Sequence, residues 1–150
     1  MSEISLIDLG AVNVILVGDF GTLKVKGYGP NPASIMISSL DPNLYTEAVG
    51  AFGDMLINKS YKAKNKLLKL NILRNQYYYK KLMQIVGLEL TGQSTIFSVL
   101  VTDNNSKELF ACAQAVMKIN PEYQAGPEPE PNVEFNILMP SVVYTAPTTA

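Results

Sequence analysis

Lysines at positions 62, 64 and 66 sit two residues apart, within the most basic stretch of the chain. Lys59, Lys62, Lys64, Lys66, Lys69, Arg74, Lys80 and Lys81 supply 8 of the 12 basic residues, and no acid occurs between Asp54 and Glu89. Such a run could bind phosphate. It could equally be a solvated or subunit-facing strand that pairs with carboxylates. A nucleic-acid site would want exposed aromatics among the bases, and Tyr61 is one candidate. Tyr77-Tyr78-Tyr79 could serve as a stacking platform. Three consecutive helix positions cannot share a face, however, so at most two pack inward and one points out.

Other chemistry is poorly supplied. The chain has no histidine, which removes the commonest general base and the usual metal ligand. Cys112 is the single cysteine. It excludes an internal disulfide, fits a reducing compartment and, mid-strand without histidine, reads as a buried inert thiol. Gly27-Tyr28-Gly29-Pro30 loosely resembles a phosphate loop but lacks the Lys-Ser/Thr pair, so a turn is expected. Glu128 and Glu130 lack metal-ligand companions. No cofactor and no catalytic residue are expected.

The elements that must position these residues follow from periodicity. At 150 residues, 47% hydrophobic and 17% charged, the chain suits one domain with its own core, spanning 1–150. No segment approaches the roughly 20 apolar residues of a membrane span, and the start lacks signal-peptide features. Apolar and polar residues alternate through most of the sequence, which predicts half-buried strands. Residues 12–27 read as a hairpin turning at Asp19-Phe20-Gly21, and Ile35 and Ile37 continue the pattern. Residues 41–62 read as an extended loop or hairpin. Lys62, Lys64 and Lys66 are then expected on one strand face that continues into Leu68, Leu70 and Ile72. A face charged first and apolar later would leave the core at its start.

One helix is expected over about 76–86, with Asn75 as N-cap and Gly87 as the C′ residue. Tyr78, Leu82 and Ile85 share its inward face, widened by Tyr79, Met83 and Val86. Strands follow at Phe97-Val99-Val101, at Leu109-Ala111-Ala113-Ala115-Met117 and at Val133-Phe135-Ile137-Met139. The small residues of the second suggest close packing against the helix. Residues 121–131 read as a surface loop and 145–150 as a loose tail. The fold class expected is mainly β: a β-sandwich or partly closed barrel with one α-helix and a long extended hairpin loop.

The order of elements resembles the tail tube proteins of contractile-tailed phages over about residues 6–144. The resemblance runs through Val12–Val17, Lys26-Gly27-Tyr28-Gly29, Ser34-Ile35-Met36-Ile37 and the segment holding Gly50 and Gly53. It continues through Lys69-Leu70-Asn71-Ile72-Leu73, Tyr79 and Leu82, Phe110-Ala111-Cys112-Ala113, Lys118-Ile119-Asn120-Pro121 and Val133-Glu134-Phe135-Asn136-Ile137. It implies hexameric rings whose sheets join into one inner barrel, stacked into a tube inside a contractile sheath. The implied place is the virion tail, assembled in the host cytoplasm. The implied partners are further copies of the chain, sheath, baseplate and tail terminator proteins, and DNA passing transiently through the lumen. Asp41, Glu47, Asp54, Lys59, Lys62, Lys64 and Lys66 are then candidate subunit or ring contacts. A sequence-tolerant nucleic-acid-binding β-barrel using residues 59–81 is the alternative.

Overall fold

The structure, a computed structural model, describes residues 12–26, 28, 34–74, 77–93 and 95–147. The chain opens with β1 (Val12–Gly18) and β2 (Gly21–Val25), antiparallel across Asp19-Phe20. Gly21 has φ +98, a conformation that side chains rarely adopt, so glycine suits the turn. Next come β3 (Ile35–Ser39), β4 (Tyr45–Val49), β5 (Met55–Lys59), a 3₁₀ turn at Lys62–Lys64 and β6 (Lys66–Leu73). The helix α1 (Tyr77–Leu90) precedes β7 (Phe97–Asp103), β8 (Glu108–Met117), β9 (Asn132–Met139) and β10 (Val143–Thr145).

The strands run β2-β1-β7-β8-β9-β6-β3, with β10 added to β8, while β4 and β5 pair only with each other. Strand β8 makes the corner. Its first part pairs with β7, and Val116 and Met117 pair with β9. A bulge marks the change: Phe97 opposes Ala115, but Val99 opposes Cys112. The extra residue bends the strand and rephases its faces. The sheet folds over itself as a sandwich and does not close into a barrel, because β2 and β3 remain as the two ends of the path.

The core fills the space between the layers. Val14, Leu16, Val99 and Val101 face Leu68, Leu70, Ile72, Phe135 and Ile137 within one buried cluster. Helix α1 contributes Leu82, Ile85 and Val86. Tyr79 brings its ring to 6.2 Å from that of Phe135, so the helix is anchored over β9. Tyr77 is the exposed member of the tyrosine triplet, as the three-position rule requires.

Four local readings are corrected. Lys62 and Lys64 are not on the strand: Asn65 N–H donates to Lys62 O at 3.1 Å, closing a 3₁₀ turn. The strand starts only at Lys66, which faces Ser39 and Met139, the last rungs available on either side. The helix does not stop at Gly87 but runs to Leu90. It ends where Gly92, at φ +86, allows Gly92 N–H to reach Glu89 O and Gln93 N–H to reach Leu88 O, each at 3.1 Å. The inward face of β8 changes at the bulge: Phe110 and Cys112 pack on the core before it and Ala115 and Met117 after it, so Leu109, Ala111 and Ala113 are not on the core face, and the helix packs against β6 instead. Finally, Thr145 is not loose: it pairs with Leu109 at the end of β10. Asn75, Gly27, Gly29, Pro30 and residues 148–150 lie outside the described residues.

Gly87 inside a helix invites a direct test. A Cβ there would meet nothing within 4 Å. Gly87→Ala is expected to stabilise the isolated chain by about 0.5–1 kcal/mol through reduced backbone entropy of the unfolded state. Thermal unfolding should show a rise of about 1–4 °C.

Candidate assembly surfaces

Hairpin β4–β5 is an arm with no body beneath it. All ten residues of its two strands are exposed. The rungs Tyr45↔Lys59, Glu47↔Ile57 and Val49↔Met55 put one set of side chains on one face, and Thr46↔Asn58 and Ala48↔Leu56 put the rest on the other. Ser60 N–H donates to Leu44 O at 2.8 Å, which holds the root together. At the tip, Gly53 N–H donates to Gly50 O and Gly50 N–H to Asp54 O. Tyr45, Val49, Met55, Leu56 and Ile57 are each 58–66% exposed, and Phe52 is 96% exposed. A lone two-stranded hairpin is marginal in water. One carrying this much apolar surface is suited to being covered.

The charged candidates fall into separate places. Asp41 Oδ1 accepts the backbone and side-chain N–H groups of Asn43 at 3.1 Å each, forming the turn before the arm. Glu47 stands mid-arm and Asp54 at its tip. Lys59 and Lys64 are brought together over the exposed Tyr61 ring, at 5.8 and 5.4 Å from its centroid. Lys62 is exposed on the 3₁₀ turn. Lys66 is turned inward and donates to Ser39 Oγ at 2.8 Å. Among the described residues, none of these lysines pairs with Asp41, Glu47 or Asp54. The remainder of the basic run is dispersed. Lys69 lies 3.9 Å from Glu134, Arg74 donates to Glu130 O and covers Tyr79, and Lys81 covers Tyr77.

The apolar content of the arm was missed by reasoning from charge. Its signal was present, since Tyr45, Val49, Phe52, Met55, Leu56 and Ile57 crowd into thirteen positions. Two further surfaces needed the tertiary structure. The outer edges of β2 and β3 carry no strand partner among the described residues. A groove of about 490 Å³ separates α1 from the β1–β2 hairpin.

Two groups of possible reactivity are engaged within the fold. Cys112 is buried, its Sγ donates to Pro140 O at 3.3 Å, and burial pushes its pKa up, away from the thiolate. Burial likewise raises the Tyr28 phenol well above its ordinary range, and its hydroxyl donates to Val25 O. Among the described residues, no group of three or more acids or cysteines could hold a metal ion. No helix there is long and apolar enough to cross a membrane.

No family model matches the sequence, and curated proteins give no significant sequence match. Solved structures do match. A chain of the sheath–tube complex of the PVC extracellular contractile injection system, in the extended state, has a TM-score of 0.54 at 14% identity. The likeness covers 94% of this chain and 92% of that one. The tube-terminating cap of the anti-feeding prophage gives 0.53 at 11% identity, covering 97% and 95%. The PVC sheath/tube terminator, also in the extended state, gives 0.50 at 13%, covering 97% and 100%. The chain has the fold of contractile injection system tube-type proteins. Coverage is near complete in both directions.

Proposed function

We propose that the chain is a non-enzymatic structural subunit that assembles with its own copies into stacked rings, forming the inner tube of a contractile device. The arm carries this reading, being an ordered hairpin whose apolar side chains are all exposed. Its fold, near that of tube, cap and terminator proteins, supports the same role. The free edges of β2 and β3 suit lateral joining. Unpaired strand edges are a hazard in a monomer and a joint in a ring. Because these edges differ, the contact is head-to-tail, and rotation closes it, in this proposal into a hexamer. The proposed partners are sheath, baseplate and tail terminator proteins, the proposed place is a phage tail, and the proposed traffic through the bore is the genome. Negative-stain microscopy of the purified protein tests it. Rings or tubes with a central bore are expected, and a persistent featureless monomer at high concentration would overturn it.

The interface charges have a defined part in this proposal. Asp41, Glu47 and Asp54 of one copy meet Lys59, Lys62 and Lys64 of another, fixing register; Lys66 holds Ser39 within its own chain. Charge reversal at Lys62 and Lys64 is expected to impair tube formation while leaving the melting temperature close to wild type; adding Lys66, which holds Ser39, would cost stability as well. Normal tubes from the double variant would remove the charge-register role. The lysines are proposed to lie away from the bore, since each neutralised phosphate adds affinity and hence friction to passing DNA. The dispersal of the basic run weighs against the nucleic-acid-binding alternative. Filter binding of DNA by the monomer at low salt is therefore expected to be weak.

A further inference from the structure

We propose that the arm tip of one copy docks, through Phe52, into the groove between α1 and the β1–β2 hairpin of the next copy. This rests on the assembly reading, in which the long arm is already expected to reach a neighbouring copy, and adds the surface that receives it and the side chain that anchors it. Among the described residues, Phe52 is the most exposed of the large hydrophobic side chains, at 96%. The groove has the size of a small-ligand pocket, about 490 Å³. Leu23 and Ile85 form its buried floor, and Phe20, Tyr77 and Leu88 line its walls. Aromatic walls suit an incoming ring, which can meet them edge to face. Gly87 opens the space further, since nothing lies within 4 Å of where its Cβ would be. Glycine inside a helix is unfavourable for stability, and here its missing side chain leaves room for a guest.

Charge selects the arm as the occupant. None of the residues lining the groove is acidic, and Lys81 stands at its rim. Asp54 follows Phe52 by two positions at the arm tip. Phe52 in the groove would bring Asp54 towards Lys81, an opposite-charge contact at the border of an apolar one. The arm of the same copy is an unsuitable source. Its root at Leu40 lines a separate groove with Lys66, Ile96 and Leu138, and no arm residue lines the α1 groove. Tip and groove are different surfaces, so the contact is heterologous and leaves a free tip and a free groove at the ends of every stack.

Two differently tagged chains test this, one carrying Asp54→Cys and the other Lys81→Cys, with Phe52, Gly87 and the buried Cys112 left in place. Mixed under assembly conditions and mildly oxidised, they are expected to give the mixed disulfide as the main cross-link. Phe52→Ala is expected to raise the concentration needed for assembly about thirtyfold, the effect of losing an anchoring aromatic. Gly87→Phe, which fills the groove, is expected to abolish stacking. The cysteine pair decides the matter should that variant fail to fold. Rings or tubes without the mixed disulfide would overturn the docking and leave the assembly reading standing. The groove would then belong to another protein. A wild-type chain that never assembles would overturn both.

Discussion

Replacing residues 45–59 with a short Gly/Ser linker is expected to give a well-folded protein that no longer assembles. The fold should survive because, among the described residues, strand β4 pairs with β5 and with nothing else, and none of the ten strand residues is buried. The ends to be joined are already adjacent, with Ser60 N–H on Leu44 O at 2.8 Å. Shortening the excursion also slightly reduces the loop-closure entropy of folding. The melting temperature should therefore stay within a few degrees of wild type. Assembly is another matter. Tyr45, Val49, Phe52, Met55, Leu56 and Ile57 present six large apolar groups per copy. Burying each fully is worth about 1.5–3 kcal/mol, so the arm offers on the order of 10 kcal/mol before the costs of association. Losing even a third of that would raise the required concentration by more than about a hundredfold. Sedimentation velocity and microscopy of the shortened chain read the result. Tubes at wild-type concentration would show that the arm is not an assembly element.

Phe135→Ala is expected to be the most damaging single substitution for stability. Phe135 is wholly buried in the middle of β9, paired with Leu70 of β6 and touching the Tyr79 ring of α1. It joins three elements, each held by its own contacts, so the cavity left by alanine collapses only in part. The expected cost is about 3–5 kcal/mol, against a total of about 5–15 kcal/mol for a domain. Guanidinium unfolding should show a large drop in midpoint with little change in slope. A loss below about 1 kcal/mol would mean that α1 and β9 are not packed as described.

The strands and the helix were largely legible because their signals are local. Val12-Val14-Leu16, Leu23-Val25, Phe97-Val99-Val101 and Val133-Phe135-Ile137-Met139 alternate, and each is a strand with those residues inward. The misreadings share a different cause. Gly87 looked like a terminator because glycine usually marks one. The helix passes through it because Ile85 and Val86 are held in the core and Gly92 supplies a better end. Lys62 and Lys64 kept the period of a strand, but a strand exists only where a neighbour supplies rungs, and β3 and β9 end at Lys66. Alternation in β8 broke at a bulge whose reason lies in the β7-to-β9 corner, far away in sequence.

The sequence by itself determined the class of the molecule. Without histidine and with one buried cysteine, its alternating strands and single amphipathic helix specify a mainly β domain with an extended 41–62 segment. Composition and short-range periodicity suffice for that, since they record how each residue meets its own backbone and solvent. The lysine run adjoins the arm but carries no sign of the arm's apolar surface. Only the tertiary structure decided that Lys66 turns back to Ser39, that Lys59 and Lys64 share Tyr61, and that the arm's apolar residues have nothing beneath them. It alone left β2 and β3 as free edges and opened the groove beside α1. Which strand ends a sheet, and which side chain is left uncovered, depends on contacts between residues distant in the chain. No local pattern carries that information.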